Sequence, residues 1–440
     1  MKSPNELSAH EAAAQIESGS LTSEALIASC LDRISERDDV VKAWIALDRD
    51  KALAQARERD REPRRGPLHG VPFAVKDIID TASLPTGYGS PIYDGHQPDI
   101  DAACVALTKS NGGVMLGKTV STEFASRFAG ATTNPHNPAH TPGGSSSGSA
   151  AAVAAHMVPL AIGTQTNGSV IRPASFCGIV GFKTSHGLIP RTGVLTQSPP
   201  LDTVGTCART VEDVALLTEA LIAYDPGDKD TRARARPPLS RTAAEEPPMT
   251  PLIAFAKTTV WDQADRETQA AFGELADLLG DDCSDLPLSA AFDHAVEMHR
   301  NIMTADLAKS FAGYYERGKD KLSDTLCEMI EFGQKVSAVD YNKALEYREL
   351  LNSGLDSVFD DFDIILTPAT TGEAPAGLDA TGNPVFNTLW TLCGTPSIAL
   401  PLMQGPSGLP IGVQVVGPRG DDARLLRNAN WLMQRIMGNS

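Results

Sequence analysis

The stretch Thr141-Pro-Gly-Gly-Ser-Ser-Ser-Gly-Ser-Ala150, followed by Gly163-Thr-Gln-Thr-Asn-Gly-Ser-Val-Ile-Arg-Pro-Ala174, decides how this 440-residue chain is read. Two glycine–serine loops lie close together, and each precedes a run that can start a helix. Glycine permits the positive φ that such a loop requires. Backbone N–H groups in this kind of turn lack intrahelical partners and can point into one concavity. A developing oxyanion needs such fixed donors, and removing one typically costs ~2.7–4 kcal/mol of barrier.

Around these loops the chain alternates short apolar runs with helical periodicity. Residues 69–76 read as a short buried strand, with further strands at 113–117, 158–163, 178–183, 252–256, 363–367, 397–400 and 411–417. Helical runs fall at 100–111, 146–156, 210–223 and 421–437. This alternation predicts an α/β layered sheet, largely parallel at its centre. Residues 5–61 read as helices, and 1–65 form an N-terminal helical layer closed by Pro63 and Gly66. Residues 66–223 hold both loops. A proline-rich linker follows at 224–250, marked by Asp225-Pro-Gly-Asp, Arg236-Pro-Pro and Glu246-Pro-Pro. Residues 262–360 read as a helical insertion, and 361–440 as strands and a helix that complete the sheet. The economical organisation is one domain over 1–440.

Bulk composition narrows the function classes. The chain is 42% hydrophobic and 21% charged, with a formal net charge of −17. An acidic surface repels phosphate backbones and anionic lipid, which argues against nucleic acid and membrane partners. The seven cysteines are scattered and never form C-x-x-C, so neither a disulfide framework nor a zinc site is expected. Residues 1–10 are polar and lack a signal-peptide core, and a cytoplasmic location is expected.

A loop serine is inert as a nucleophile without an adjacent base. None of the nine histidines falls within either loop. His136 and His140 are spaced as a metal pair on a helix would be, but Pro135, Pro138 and Pro142 preclude a helix there. Aspartate and glutamate are absent between Glu123 and Asp202. Lys76 remains, at the end of an apolar strand, where burial disfavours the ammonium form. The competing reading is a simple ion pair of Lys76 with Asp77.

The set Val71-Pro-Phe-Ala-Val-Lys76-Asp77, Gly143-Gly-Ser-Ser-Ser-Gly148, Gly163-Thr-Gln-Thr-Asn-Gly-Ser169 and Leu201-Asp-Thr-Val-Gly205 resembles the amidase-signature family. Three late segments are also similar: Ile365-Leu-Thr-Pro-Ala369, Gly394-Thr-Pro-Ser-Ile-Ala-Leu-Pro401 and Gly408-Leu-Pro-Ile-Gly-Val-Gln414. Malonamidases, fatty acid amide hydrolases and the glutaminase components of tRNA-dependent amidotransferases share these motifs. The resemblance implies a large mixed central sheet flanked by helices on both faces, with a helical insertion. It implies Ser169 as nucleophile, Ser145 as bridging serine after a cis Gly144–Ser145 peptide, and Lys76 as base. The N–H groups of Thr166, Asn167, Gly168 and Ser169 would form the oxyanion hole. No metal or cofactor is implied.

The sequence departs from the family pattern in places. Asn167 stands where glycine is usual, and reads either as a left-handed substitute or as a substrate contact. Arg172 follows Ser169 by three residues, as in malonamidases, where this arginine binds a substrate carboxylate; the alternative is a buried pair with Asp202. Val120 and His136 stand where Asn and Trp are common. Gly144, Leu195 and Trp390 join Arg172 as candidate substrate contacts, with walls expected from 191–200, 300–347 and 386–393. The reading that fits best is a free-standing amidohydrolase acting on a small amide, aryl amide or carbamate, with a homodimer left open. The rivals are a carbamate-cleaving urethanase, the glutaminase component of a tRNA-dependent amidotransferase, and an α/β-hydrolase using Ser146 of Gly144-Ser-Ser-Ser-Gly148.

Overall fold

A computed structural model describes residues 2–438. Among the described residues, eleven strands form one sheet. They are β1 (Trp44–Leu47), β2 (Pro72–Lys76), β3 (Val114–Thr119), β4 (Leu160–Gln165), β5 (Val180–Lys183), β6 (Thr203–Ala208), β7 (Ile253–Ala256), β8 (Cys283–Leu286), β9 (Ile364–Pro368), β10 (Ser397–Gln404) and β11 (Pro410–Val416). Their spatial order is β1-β3-β2-β4-β6-β5-β10-β11-β9-β7-β8.

The large mixed sheet with helices packed on both faces matches the expected class, but its centre is not parallel. Parallel pairs lie towards the flanks, β3–β2–β4 on one side and β9–β7–β8 on the other. From β4 through β6, β5, β10 and β11 to β9 every pairing is antiparallel. The reason is local: β10 and β11 form a hairpin whose turn runs from Gly405 to Gly408, the latter at φ +78°. A direct return of this kind needs no crossover helix.

The strands expected from sequence are all present, most of them shifted by one to three residues. Three others were not expected. β1 interrupts the helical N-terminal layer and pairs with β3. β6 lies at the heart of the sheet, and β8 sits at its edge inside the helical stretch. Residues 224–250 are not wholly a linker either. The short helix Leu239–Ala243 buries Leu239 and Ala243 and packs against the helices Val211–Leu221 and Asp422–Met437.

Alternation along β2 and β4 sets the two faces. Phe73, Val75, Leu160 and Ile162 join one apolar cluster with Val214, Leu217, Leu425 and Leu426. Ala74 and Ala161 join the other, with Ala150–Val153, Ile171 and Ala174. Small residues on that second face let helices Ser147–Ala154 and Ile171–Cys177 come close to the sheet. A methyl added at Gly181 would lie 2.4 Å from the Ala174 Cβ. The seven cysteines are all free thiols. No described helix is long and apolar enough to cross a membrane.

Candidate active site

Three elements meet at one end of β2 and β4. These strands are parallel neighbours, with Val75 opposite Ile162, so Lys76 closes β2 beside the end of β4. Every residue of β2 is buried. Lys76 Nζ lies 2.6 Å from Ser145 Oγ and 2.9 Å from Thr164 Oγ1. Burial pushes its ionisation well below the usual lysine range; charges at Cys207 and Asp202 oppose this weakly, and Arg172 adds to it. The alternative ion pair with Asp77 does not form. Asp77 faces the buried Lys118 at 3.3 Å instead.

The Gly144–Ser145 peptide is cis, and Ser145 is buried. Arg172 holds this loop from the helix Ile171–Cys177, its Nη2 donating to the Gly144 carbonyl at 2.7 Å and to Thr381 Oγ1 at 3.1 Å. Its Nε and Nη1 are buried without a partner among the described residues, and burial lowers its ionisation to about 9. The expected pairing of Arg172 with Asp202 is absent. Asp202 is taken by Thr166 and by the N–H groups of Gln197 and Ser198.

The second loop, residues 166–169, carries Ser169. The N–H of Ser146 donates to the Ser169 carbonyl at 3.3 Å, which ties the two loops together. The structure makes the Lys76–Ser145 link. It does not hydrogen-bond Ser145 to Ser169, whose half-buried hydroxyl has no partner among the described residues. Catalytic contacts are commonly loose before substrate binds. The N–H groups of Thr166, Asn167, Gly168 and Ser169 donate to no backbone carbonyl among the described residues, as anion-binding donors must.

Sequence reasoning missed the residue that shapes this turn. Gln165 Oε1 accepts from the N–H groups of Val170 at 2.8 Å and Ile171 at 3.0 Å, while its Nε2 donates to Thr391 Oγ1 at 3.0 Å. Thr391 in turn donates to the Asn167 carbonyl at 2.5 Å. A glutamine just before the turn, with bare N–H groups at a helical start beyond it, was the available signal. Asn167 is not left-handed, which corrects the reading as a glycine substitute. Its Oδ1 accepts from Thr388 Oγ1 at 2.8 Å, so the side chain tethers the turn to the helix Val385–Leu392. Gly168 has no room for a side chain, since a Cβ there would sit 2.3 Å from Asn387 Oδ1.

Ser146, the rival nucleophile, is fully buried, and its hydroxyl bridges to the Thr164 backbone at 3.2 Å in both directions. No strand precedes it, so an elbow is not formed. From the helix Ala295–Ser310, the ring of buried His299 meets the Thr166 carbonyl at 2.9 Å.

A cavity of about 440 Å³ adjoins the site, sharing Thr164 and Thr166 with it, and Lys76, Ser145 and Ser169 do not line it. Leu195 and much of the expected segment 191–200 line it, together with 226–229. Segments 300–347 and 386–393 do not. Trp390 is a correction: it is fully buried in the core, where the helix Val385–Leu392 packs on Ala295–Ser310. Gly144 sits against Thr381, and Arg172 occupies its carbonyl.

The family model for amidases matches residues 25–426. The A component of the glutamyl-tRNA(Gln) amidotransferase from Lysinibacillus sphaericus is 32% identical, the alignment covering 98% of this chain and 96% of that one. Among solved structures, a chain from a vestigial protein complex bearing on the origins of an s-triazine catabolic enzyme superposes with a TM-score of 0.91 at 27% identity, covering 97% of this chain and 98% of that one. The peptide amidase of Stenotrophomonas maltophilia gives a TM-score of 0.83 at 28% identity, covering 98% and 97%. The chain belongs to the amidase family and is an amide-cleaving hydrolase of the amidase-signature type.

Proposed function

We propose that this enzyme hydrolyses a small amide through Ser169, Ser145 and Lys76, by way of an acyl-enzyme. Neutral Lys76 takes the proton of Ser145, which takes the proton of Ser169 as its Oγ adds to the carbonyl carbon. The N–H groups of residues 166–169 hold the oxyanion. Collapse breaks the C–N bond, and the relay returns a proton to the leaving nitrogen. Water then adds to the ester by the same relay and releases the acid, leaving Ser169 protonated again.

The observation that carries this reading is a fully buried lysine with no carboxylate partner among the described residues, its amine 2.6 Å from Ser145 Oγ. Ser169→Ala is expected to lower kcat by about 10³-fold or more while the protein stays folded. Full turnover in that variant would refute the assignment. A panel of primary amides, anilides and carbamates, run with wild type and Arg172→Ala, reads the substrate class. A KM rise confined to acidic amides would assign Arg172 to a substrate carboxylate. Predominant carbamate turnover would favour the urethanase reading.

The full-length similarity to an amidotransferase component favours one second reading, a glutaminase that works within a complex. Glutamine hydrolysis that rises only with partner proteins and charged tRNA would select it over the free-standing enzyme.

A further inference from the structure

Thr166 opens the turn that presents the oxyanion donors, and its hydroxyl faces two acceptors. Gln197 Oε1 lies 2.7 Å away and Asp202 Oδ1 2.6 Å away. The Gln197 amide cannot be reversed, because its Nε2 donates to the Phe124 carbonyl at 2.7 Å. A threonine hydroxyl has one proton, so it serves one of these oxygens and leaves the other contact empty. The other Asp202 oxygen already accepts from the N–H groups of Gln197 and Ser198, each at 2.9 Å. A proton on Asp202 Oδ1 resolves the count: Asp202 donates to Thr166, and Thr166 donates to Gln197.

The surroundings favour that proton. Asp202 is buried, which pushes its carboxyl up to about 6 against the pull of Thr166, the two backbone donors and Arg191. Arg191 donates to the Asp202 carbonyl and is itself engaged by Asp228 and Asp230. The charge of Asp202 acts on Lys76, His299 holds the Thr166 carbonyl, and Asp306 accepts from Ser198 Oγ.

We propose that Asp202 is a positioning residue that fixes the oxyanion turn by sharing a proton with Thr166 and Gln197, and that losing this proton loosens the turn. The proposal rests on the reading of residues 166–169 as oxyanion donors and of Ser169 as nucleophile. Asp202→Asn mimics the protonated form, with an NH₂ for Thr166 and an oxygen for the two backbone donors. Thr166→Val removes the hydroxyl and leaves the charge of Asp202.

The experiment measures the rate at which a fluorophosphonate probe labels the full-length enzyme, from about pH 5 to about pH 8. Circular dichroism checks that each variant is folded. The ratio of wild-type to Asp202→Asn rates is expected to fall about threefold or more across an ionisation near 6. Thr166→Val is expected to label more slowly than Asp202→Asn at every pH, without that step. A constant ratio overturns the proposal. So does a mere sideways shift of the Lys76 limb with equal plateaus, which would make Asp202 only a charge near the lysine. Ser169→Ala separates the two levels. Labelling that persists there refutes the nucleophile and this proposal with it, whereas lost labelling with a constant ratio refutes the proposal alone.

Discussion

Lys76 is the residue on which the proposed chemistry turns, and its environment fixes the direction of its pH response. Burial lowers its ionisation, so the neutral amine becomes available below the ordinary lysine range near ~10.4. The proposed relay uses the deprotonated form. Turnover should therefore rise with pH through the Lys76 ionisation, level off below that range, and survive EDTA, since no step of the proposed relay uses a metal. Lys76→Arg keeps a cation but cannot supply a neutral base, and is expected to lose about 10³-fold in kcat. A chelator-sensitive rate, or an arginine variant with near-normal turnover, would remove Lys76 from the base role. This residue was legible in the sequence because an apolar strand ends on it and no acid or histidine lies in either loop. Gln165 was not, because its role depends on meeting Thr391 from a helix more than two hundred residues away.

At the scale of elements, sequence pattern missed the strands that are built of small residues, that are polar, or that are short and set between helices. β6 reads Thr-Val-Gly-Thr-Cys-Ala; all six residues are buried, but their small size leaves little hydrophobic signal. β8 is an edge strand with a polar Ser-Asp centre, and β1 is four residues between two helices. Parallel order was inferred from alternation with helices, a pattern that cannot distinguish a crossover from the β10–β11 return. The helix Ala295–Ser310 was expected to wall the pocket, yet its contact with the site is through His299. That imidazole is held neutral, its ionisation lowered to about 4 by burial and by Arg127, partly offset by the Thr166 carbonyl. An unfolded histidine titrates near ~6.5. Between these values the unfolded chain binds a proton that the native chain does not. The stability from neutral His299 is thus complete above about 6.5 and is lost as pH falls towards about 4, by about 3 kcal/mol in all. Urea unfolding of wild type and His299→Gln at neutral pH and near pH 4.5 isolates this contribution. Wild type is expected to lose about 2–3 kcal/mol more than the variant, and equal losses would contradict the assignment.

The whole molecule is two sequence blocks closed into one sheet. β1 to β6 precede the polar segment after residue 224, and β7 to β11 follow it, with β5 and β10 forming the seam: Ser397 opposite Lys183, Ile398 opposite Phe182 and Ala399 opposite Gly181. The helix Asp422–Met437 crosses back to pack on Val211–Leu221, and Thr388 and Thr391 reach across to Asn167 in the turn at 166–169. Between the packed parts of this segment, residues 232–236 are exposed and without regular structure. Arg232 and Arg234 within it are open to trypsin, whereas Arg236 is shielded by the proline that follows. Limited trypsin digestion is therefore expected to nick the chain after Arg232 or Arg234. The two fragments should co-elute in one native-sized peak and keep most of the turnover, because buried seam contacts hold them and a cut loop costs only chain entropy. Fragments that part without denaturant, or a nick that abolishes activity while both fragments stay bound, would show that the segment does more than connect.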